Sequence, residues 1–270
     1  MSPVITRASD GTPAVSYALA DAGGRLIAER RARTVFYSAS TVKLGLMLAV
    51  VLADERGSLS LGDRVPCVSE WASAPAEPSS DGSTDAAAEM FVLDPEDRDP
   101  QFPADGELAS IGELTTAMIR RSSNEATNML FDLVGASAIA DAFALCGAAQ
   151  TRMERRIGDE RATRAGLTNE TTAADLVTVM HALLAGEVTS RGHADWMRDV
   201  LAGQEHPRIG GVVAAGTAWG SKSGDVPGIE HDVAFVGDGP ARRYLAVCTR
   251  AFEPEQGRET IAAVAQALLV

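Results

Sequence analysis

The chain is predicted to be an α+β protein in which an antiparallel sheet, assembled from both chain ends, receives a helical unit inserted between its halves. Three observations carry this. Turn-punctuated apolar runs typical of strands occur before residue 38 and return from about residue 212. Helical periodicity dominates between them. The 270 residues are 46% apolar, enough for a substantial core. One domain is expected, its sheet part drawn from about residues 1–38 and 207–270 and its helical part from about residues 39–206.

The first element is a hairpin. AVSYALADAGGRLIAERRART pairs two partly alternating runs around Asp21-Ala22-Gly23-Gly24, where glycine supplies positive φ. From Ser40 the pattern becomes helical and runs to a stop at Gly57; SLSLGDRV then reads as short and turn-like. Residues 72–107 differ in kind, with proline, serine and ten acidic residues against one arginine, and are expected to form an irregular, partly mobile surface insertion. A solvated loop is favoured there over a flap facing a ligand. IGELTTAMIRRS and EATNMLFDLVG read as two helices broken around Ser122-Ser123-Asn124, and ASAIADAFALCG as a third. TAADLVTVMHALLAG, capped by Thr171 or Thr172, and HADWMRDVLAGQ follow as helices. GVVAAGTAWGSKSG, HDVAFVG and RRYLAVCTRAF carry strand signals, and GRETIAAVAQALLV closes the chain as a helix.

Charge narrows the function classes. A net charge of −13 with no basic stripe repels nucleic-acid phosphates and anionic membranes, so no nucleic-acid partner is expected. The longest apolar run, LGLMLAVVLA, is too short to span a bilayer. Cys67, Cys146 and Cys248 are far apart without metal-ligand spacing, and read as buried or incidental thiols. His181, His193, His206 and His231 show neither triad nor metal spacing and read as structural or exposed. Neither a metal nor another cofactor is expected.

Of 24 basic residues only Lys43 and Lys222 are lysines. Lys43 follows Ser40 by three positions at a helix start, which puts hydroxyl and amine on one face. A serine hydroxyl is a weak nucleophile until a base takes its proton. Lysine can be that base when burial or nearby positive charge lowers its pKa, whereas arginine effectively never deprotonates. Free N–H groups at the helix start also suit an oxyanion. Alone the pattern is weak, since roughly one S-x-x-K is expected by chance in a chain of this length. Lys222-Ser223-Gly224, on a strand-like segment, and Ser122-Ser123-Asn124, between two helices, complete the set. Each has an ordinary alternative: Ser122 as a helix cap, Asn124 as a turn residue, Lys222 as an edge-strand charge. Those alternatives explain poorly why both lysines fall inside motifs.

With STVK, SSN and KSG in this order, the sequence resembles the class A β-lactamases and the related penicillin-recognising serine enzymes, whose signatures are S-x-x-K, S-D-N and K-T-G. FYSASTVKLGLM, IRRSSNEATNMLFDLVG and NETTAADLVTVMHALL look alike in context, so the resemblance covers nearly the whole chain outside the acidic insertion. It implies a β-lactamase/transpeptidase-like fold with a five-stranded antiparallel sheet. It implies that Ser40 is the acylated nucleophile and Lys43 its base, that Ser122 passes a proton to the leaving nitrogen, and that Lys222 assists and attracts a substrate carboxylate. Asn124 would bind the substrate's side-chain amide, Ser223 would offer a hydroxyl, and Gly224 precedes Asp225, whose N–H would join that of Ser40 in an oxyanion hole. Arg208 stands where some members carry a carboxylate-binding arginine; a solvated arginine is its ordinary alternative.

Two departures matter. Ser123 replaces the middle aspartate, which in the family braces the loop. The stretch TRMERRIGDERATRAGLTNETT lacks the family's E-x-x-x-N pattern, and direct alignment from Thr151 puts Ile157 at the position of the glutamate that activates deacylating water. Asp159 or Glu160 could substitute, but a surface salt bridge is the expected role for either. Acylation is thus better supported than turnover. The expected function is β-lactam hydrolysis through a Ser40 acyl-enzyme. The alternatives are a penicillin-binding, DD-peptidase-like or esterase/amidase enzyme with slow deacylation, and a non-catalytic ligand-binding descendant. A small-molecule acyl donor is the expected partner. The start, MSPVITRASDGTPAV, lacks a basic flank and apolar stretch, so no signal peptide is read and the chain as encoded is expected to be cytoplasmic, although such enzymes usually act outside the membrane.

Overall fold

Alternating apolar residues near both ends build one sheet. A computed structural model describes residues 4–73 and 89–269. Strands β1 (Ala14–Ala20) and β2 (Leu26–Arg30) form the predicted hairpin, with Gly24 in its turn at φ 78°. The next elements are β3 (Phe36–Tyr37), α1 (Lys43–Glu55), β4 (Arg64–Pro66), β5 (Glu70–Ala72), β6 (Met90–Val92) and β7 (Leu108–Ser110). Then come α2 (Ile111–Arg120), α3 (Asn124–Cys146), β8 (Arg152–Met153), α4 (Glu160–Arg164) and β9 (Asn169–Thr171). Helices α5 (Ala173–Ala185) and α6 (Arg191–Ala202) lead to β10 (Trp219–Val226), β11 (Ile229–Val236), β12 (Arg243–Arg250) and α7 (Pro254–Leu269).

The antiparallel sheet has the order β10-β11-β12-β1-β2. β1 lies beside β12, so the two chain ends are neighbours, Ala14 opposite Arg250 and Ala20 opposite Tyr244. Period-two alternation divides the strands between two cores. Ala234, Val236, Leu245 and Val247 pack with Ile261 and Ala265 of α7. Their neighbours Val233, Phe235, Tyr244, Ala246 and Cys248 face the larger core of the helical unit. The sheet is therefore covered on both faces, and β10 is one of its two edges.

Helix α1 is the axis of the helical unit. Every residue from Lys43 to Leu52 is buried, as expected for a helix apolar all round. Gly45 lets Phe143 of α3 approach, because a Cβ there would lie 2.1 Å from the Phe143 ring. Side-chain caps start α2, α5 and α6: Ser110 forms a capping box with Glu113, Thr172 caps α5 and Ser190 caps α6.

Some boundaries differ from expectation. The helices expected either side of Gly135 form one span, with Gly135 at φ 79° and ψ 154° between them. By length and composition α3 is the one helix among the described residues able to cross a membrane, but Gly135 leaves two halves, each short of the roughly 20 residues a span needs. The strand signal expected from about residue 212 begins at Trp219; residues 210–212 are a 3₁₀ turn. Of the acidic stretch, residues 74–88 lie outside the described residues. The remainder is more ordered than a solvated loop: β6 pairs with β5, and Pro95–Asp97 forms a 3₁₀ turn. The three cysteines are free thiols, Cys67 and Cys248 buried.

Candidate active site

Ser40 lies in a 3₁₀ turn, Ala39–Val42, between β3 and α1. Lys43 N–H donates to the Ser40 carbonyl, the i to i+3 bond that stacks residues three apart, so Ser40 and Lys43 share a face. Ala39 at φ 46° precedes the serine, and Ser122 itself sits at φ 63°. Left-handed backbone at such residues costs on the order of 1–3 kcal/mol each and is held only where the surroundings over-determine it.

Both lysines are fully buried and both reach the α2–α3 junction. Lys43 Nζ lies 2.8 Å from the Ser122 carbonyl, 3.1 Å from Ser122 Oγ and 2.7 Å from Asn124 Oδ1. These three bonds leave none direct to Ser40 Oγ. Lys222 Nζ lies 3.1 Å from the same Ser122 Oγ and 2.7 Å from the Ser223 carbonyl. Burial, reinforced by the Lys222 charge, holds the Lys43 amine well below the ordinary lysine range. Burial pushes Lys222 down to about 7, against the pull of Asp232 and Asp225. Two amines of lowered basicity therefore share one hydroxyl.

Edge strand β10 brings Lys222, Ser223, Gly224 and Asp225 beside the Ser40 turn. A Cβ at Gly224 would stand 2.6 Å from Ser40 N and 2.9 Å from Thr41 N, so only glycine permits this approach. Asp225 and Asn124 line the same cleft as Ser40, a space of about 190 Å³. Arg208 does not hold a free guanidinium to the cleft. It donates to Glu230 Oε2 at 3.1 Å, to the His206 carbonyl at 2.6 Å and to Asp225 Oδ1 at 3.2 Å.

The loop bearing Ser122 is braced without the family's aspartate. Ser123, not Ser122, caps α3, its Oγ accepting from Ala126 N at 3.3 Å. Buried Glu125 accepts from Asp99 N at 3.1 Å, and Arg121 pairs with Asp99 at 3.0 Å. Asn124 Nδ2 donates to the Asp97 carbonyl at 2.9 Å. The end of the acidic stretch thus forms a wall of the cleft, where the sequence reading placed a solvated loop.

Asn128 on α3 clamps Ile157: its Nδ2 donates to the Ile157 carbonyl at 3.0 Å, and its Oδ1 accepts from Ile157 N at 2.8 Å. An apolar side chain therefore lines the cleft at the position aligned with a glutamate. Asp159 caps α4 and accepts from Ser73 Oγ at 2.6 Å. Glu160 pairs at the surface with Arg7 and Arg164. Glu160 thus has the surface ion pairs expected of it, whereas Asp159, expected at the surface, is buried as a helix cap.

Sequence reasoning passed over Asp97, Asn128, Tyr37 and Arg155, and read His231 only as structural or exposed. His231 is buried and fixes β3: Nε2 lies 3.0 Å from the Tyr37 carbonyl, and Nδ1 accepts from Thr249 N at 3.2 Å. Burial lowers its pKa to about 4. None of the five belongs to a short motif.

The sheet, the inserted helical unit and the cleft between them define a β-lactamase/transpeptidase-like protein. The chain belongs to the beta-lactamase enzyme family, whose model matches residues 2–270. Its structure is similar to a β-lactamase from Sphaerobacter thermophilus (28% identity over 95% of this chain and 90% of that one, TM-score 0.77). It is also similar to PBP-A (22% identity, 95% and 89% coverage, TM-score 0.74) and to a class A β-lactamase from Mycobacterium abscessus (22% identity, 95% and 93% coverage, TM-score 0.75). A mutant of PBP-A is known as an acyl-enzyme complex with penicillin G. No curated protein matches the chain in sequence.

Proposed function

We propose that this protein is a serine hydrolase of the class A β-lactamase type that opens β-lactam amides through an acyl-enzyme on Ser40. The observation that carries the reading is Ser122 Oγ, 3.1 Å from the amines of both Lys43 and Lys222. Lys43 Nζ donates to the Ser122 carbonyl, Ser122 Oγ and Asn124 Oδ1, and Lys222 donates to the same Ser122 Oγ. The lowered basicity of the buried Lys43 amine is what suits it to give up a proton and serve as a base. In the reaction Lys43, on the same face of the turn as Ser40, exchanges one of its bonds at the α2–α3 junction for one to Ser40 Oγ and takes its proton as that oxygen bonds to the carbonyl carbon. The N–H groups of Ser40 and Asp225 hold the oxyanion. The C–N bond then breaks, and Ser122 passes its proton to the nitrogen and is reprotonated from Lys43.

Ile157 at the aligned glutamate position favours a second reading for the later step, a penicillin-binding or DD-peptidase-like enzyme whose acyl-enzyme persists. Mixing the protein with a chromogenic cephalosporin and following colour and intact mass separates the two. A mass adduct lasting minutes or longer supports slow deacylation, and rapid colour without an adduct supports a lactamase. Neither colour nor adduct removes β-lactams from the substrates. Asn124 and Ser223 are assigned to the substrate's amide and carboxylate, and Lys222 to the charge that draws the carboxylate in.

A further inference from the structure

We propose that Arg155 is an anion-binding residue for the acyl arm of the substrate, and that the protein prefers acyl donors whose arm ends in a carboxylate. The proposal rests on the Ser40 reading and names what that site accepts. A cavity of about 580 Å³ opens beside the Ser40 cleft, between the segment 163–168, the end of β10 at Val226–Pro227 and the N-terminal residues 6–8. It shares Arg7, Tyr37, Arg155, Glu160, Thr163 and Val226 with the cleft, so the two form one continuous groove. The proposal sets the acyl arm in this groove and the leaving group on the side of Ser122, which passes it a proton.

The groove is lined by Ala8, Leu167, Val226 and Pro227 and carries three charged side chains, of which Arg7 and Glu160 pair with each other and Arg155 does not. Arg155 is 9% exposed, and among the described residues no carboxylate pairs with it. Its Nη1 donates to the Arg156 carbonyl at 3.1 Å and its Nη2 to the Tyr37 hydroxyl at 3.2 Å. Its Nε is buried without a hydrogen-bond partner. The Tyr37 ring, 5.7 Å from the guanidinium carbon, gives partial compensation. The carboxylate on the groove wall, Glu160, is already shared by Arg7 and Arg164. A buried, unpaired guanidinium is costly in a chain of net charge −13 that has acids to spare. Leaving it unpaired makes physical sense when an incoming carboxylate completes it, since a buried arginine favours planar oxyanions bound by two N–H groups.

The test uses two penicillins that differ only at the arm's end: 6-aminopenicillanic acid acylated with adipic acid, ending in a carboxylate, or with hexanoic acid, ending in a methyl. Their equilibrium binding to the Ser40→Ala protein is compared by calorimetry, which separates recognition from chemistry. One charge-assisted contact at a desolvated site predicts about tenfold tighter binding of the adipoyl compound. Arg155→Met should erase that preference, Arg155→Lys should keep part of it, and Arg7→Ala should keep all of it. Equal binding of the two compounds, no binding of either, or a preference that vanishes with Arg7→Ala but not with Arg155→Met, overturns the proposal. Should Arg155→Met fail to fold, the wild-type-background preference and Arg155→Lys decide. The Ser40 reading is judged separately, by a covalent mass shift with the hexanoyl compound on the unaltered chain.

Discussion

Ser122 Oγ stands between two amines that, if both charged and unscreened, would repel across a few ångströms of buried space. Burial resolves the conflict by lowering both pKa values, and this is why arginine could not replace either lysine: its guanidinium would keep its proton and its charge. The same scale sets two predictions. Gly224→Ala places a methyl 2.6 Å from Ser40 N, against backbone that cannot swing aside. Acylation should fall at least about tenfold and thermal stability by about 1–3 kcal/mol, measured by mass-adduct kinetics and denaturation. Ile157→Glu restores a carboxylate to the cleft wall at a residue whose backbone Asn128 already clamps. The acyl-enzyme should decay about 100-fold faster, read as adduct lifetime, with acylation changed far less. Of the candidate residues, those in short motifs were legible because one chemistry requires fixed types at fixed spacing. Arg155 and Asp97 were not, because an arginine in TRMERR or an aspartate in DPEDRD looks like any solvated charge until the fold buries the one and sets the other's carbonyl against Asn124.

At the scale of elements, the hairpin, the two helices meeting at Ser122–Asn124 and the closing helix were read correctly, since glycine turns, capping serines and apolar periodicity are local signals. The short strands β4 to β9 were not, because two- or three-residue pairings owe their existence to distant partners. The acidic stretch was misjudged for a related reason: composition marks it as polar, while Asn124 recruits the Asp97 carbonyl into the cleft. Helix crossing gives a third prediction. Gly45→Ala gains about 1 kcal/mol of helix propensity but drives a methyl to 2.1 Å from the Phe143 ring in a close-packed core. Overpacking should win, with a net loss of about 1–2 kcal/mol in a denaturant titration.

Across the whole molecule, the sheet joins both chain ends and presses its edge strand onto the turn that carries Ser40, so cleft geometry and global stability are linked. His231 joins them physically, pinning β3 to the sheet. Its folded pKa of about 4 lies below the unfolded value of 6.5. Between those values the unfolded state binds the extra proton, so the contribution is intact above about pH 6.5 and is lost as pH falls towards 4. The loss should reach about 3 kcal/mol, and a His231→Asn protein, though less stable at neutral pH, should show a flatter stability curve between pH 6.5 and 4.

The account turns on Ser40 as the atom that becomes acylated. Incubating the protein with penicillin G, quenching in acid and mapping the peptides by mass spectrometry tests it most directly. The account predicts a single penicilloyl adduct on the peptide containing Ser40, absent from Ser40→Ala. An adduct on another residue, or β-lactam opening that survives Ser40→Ala unchanged, would contradict it.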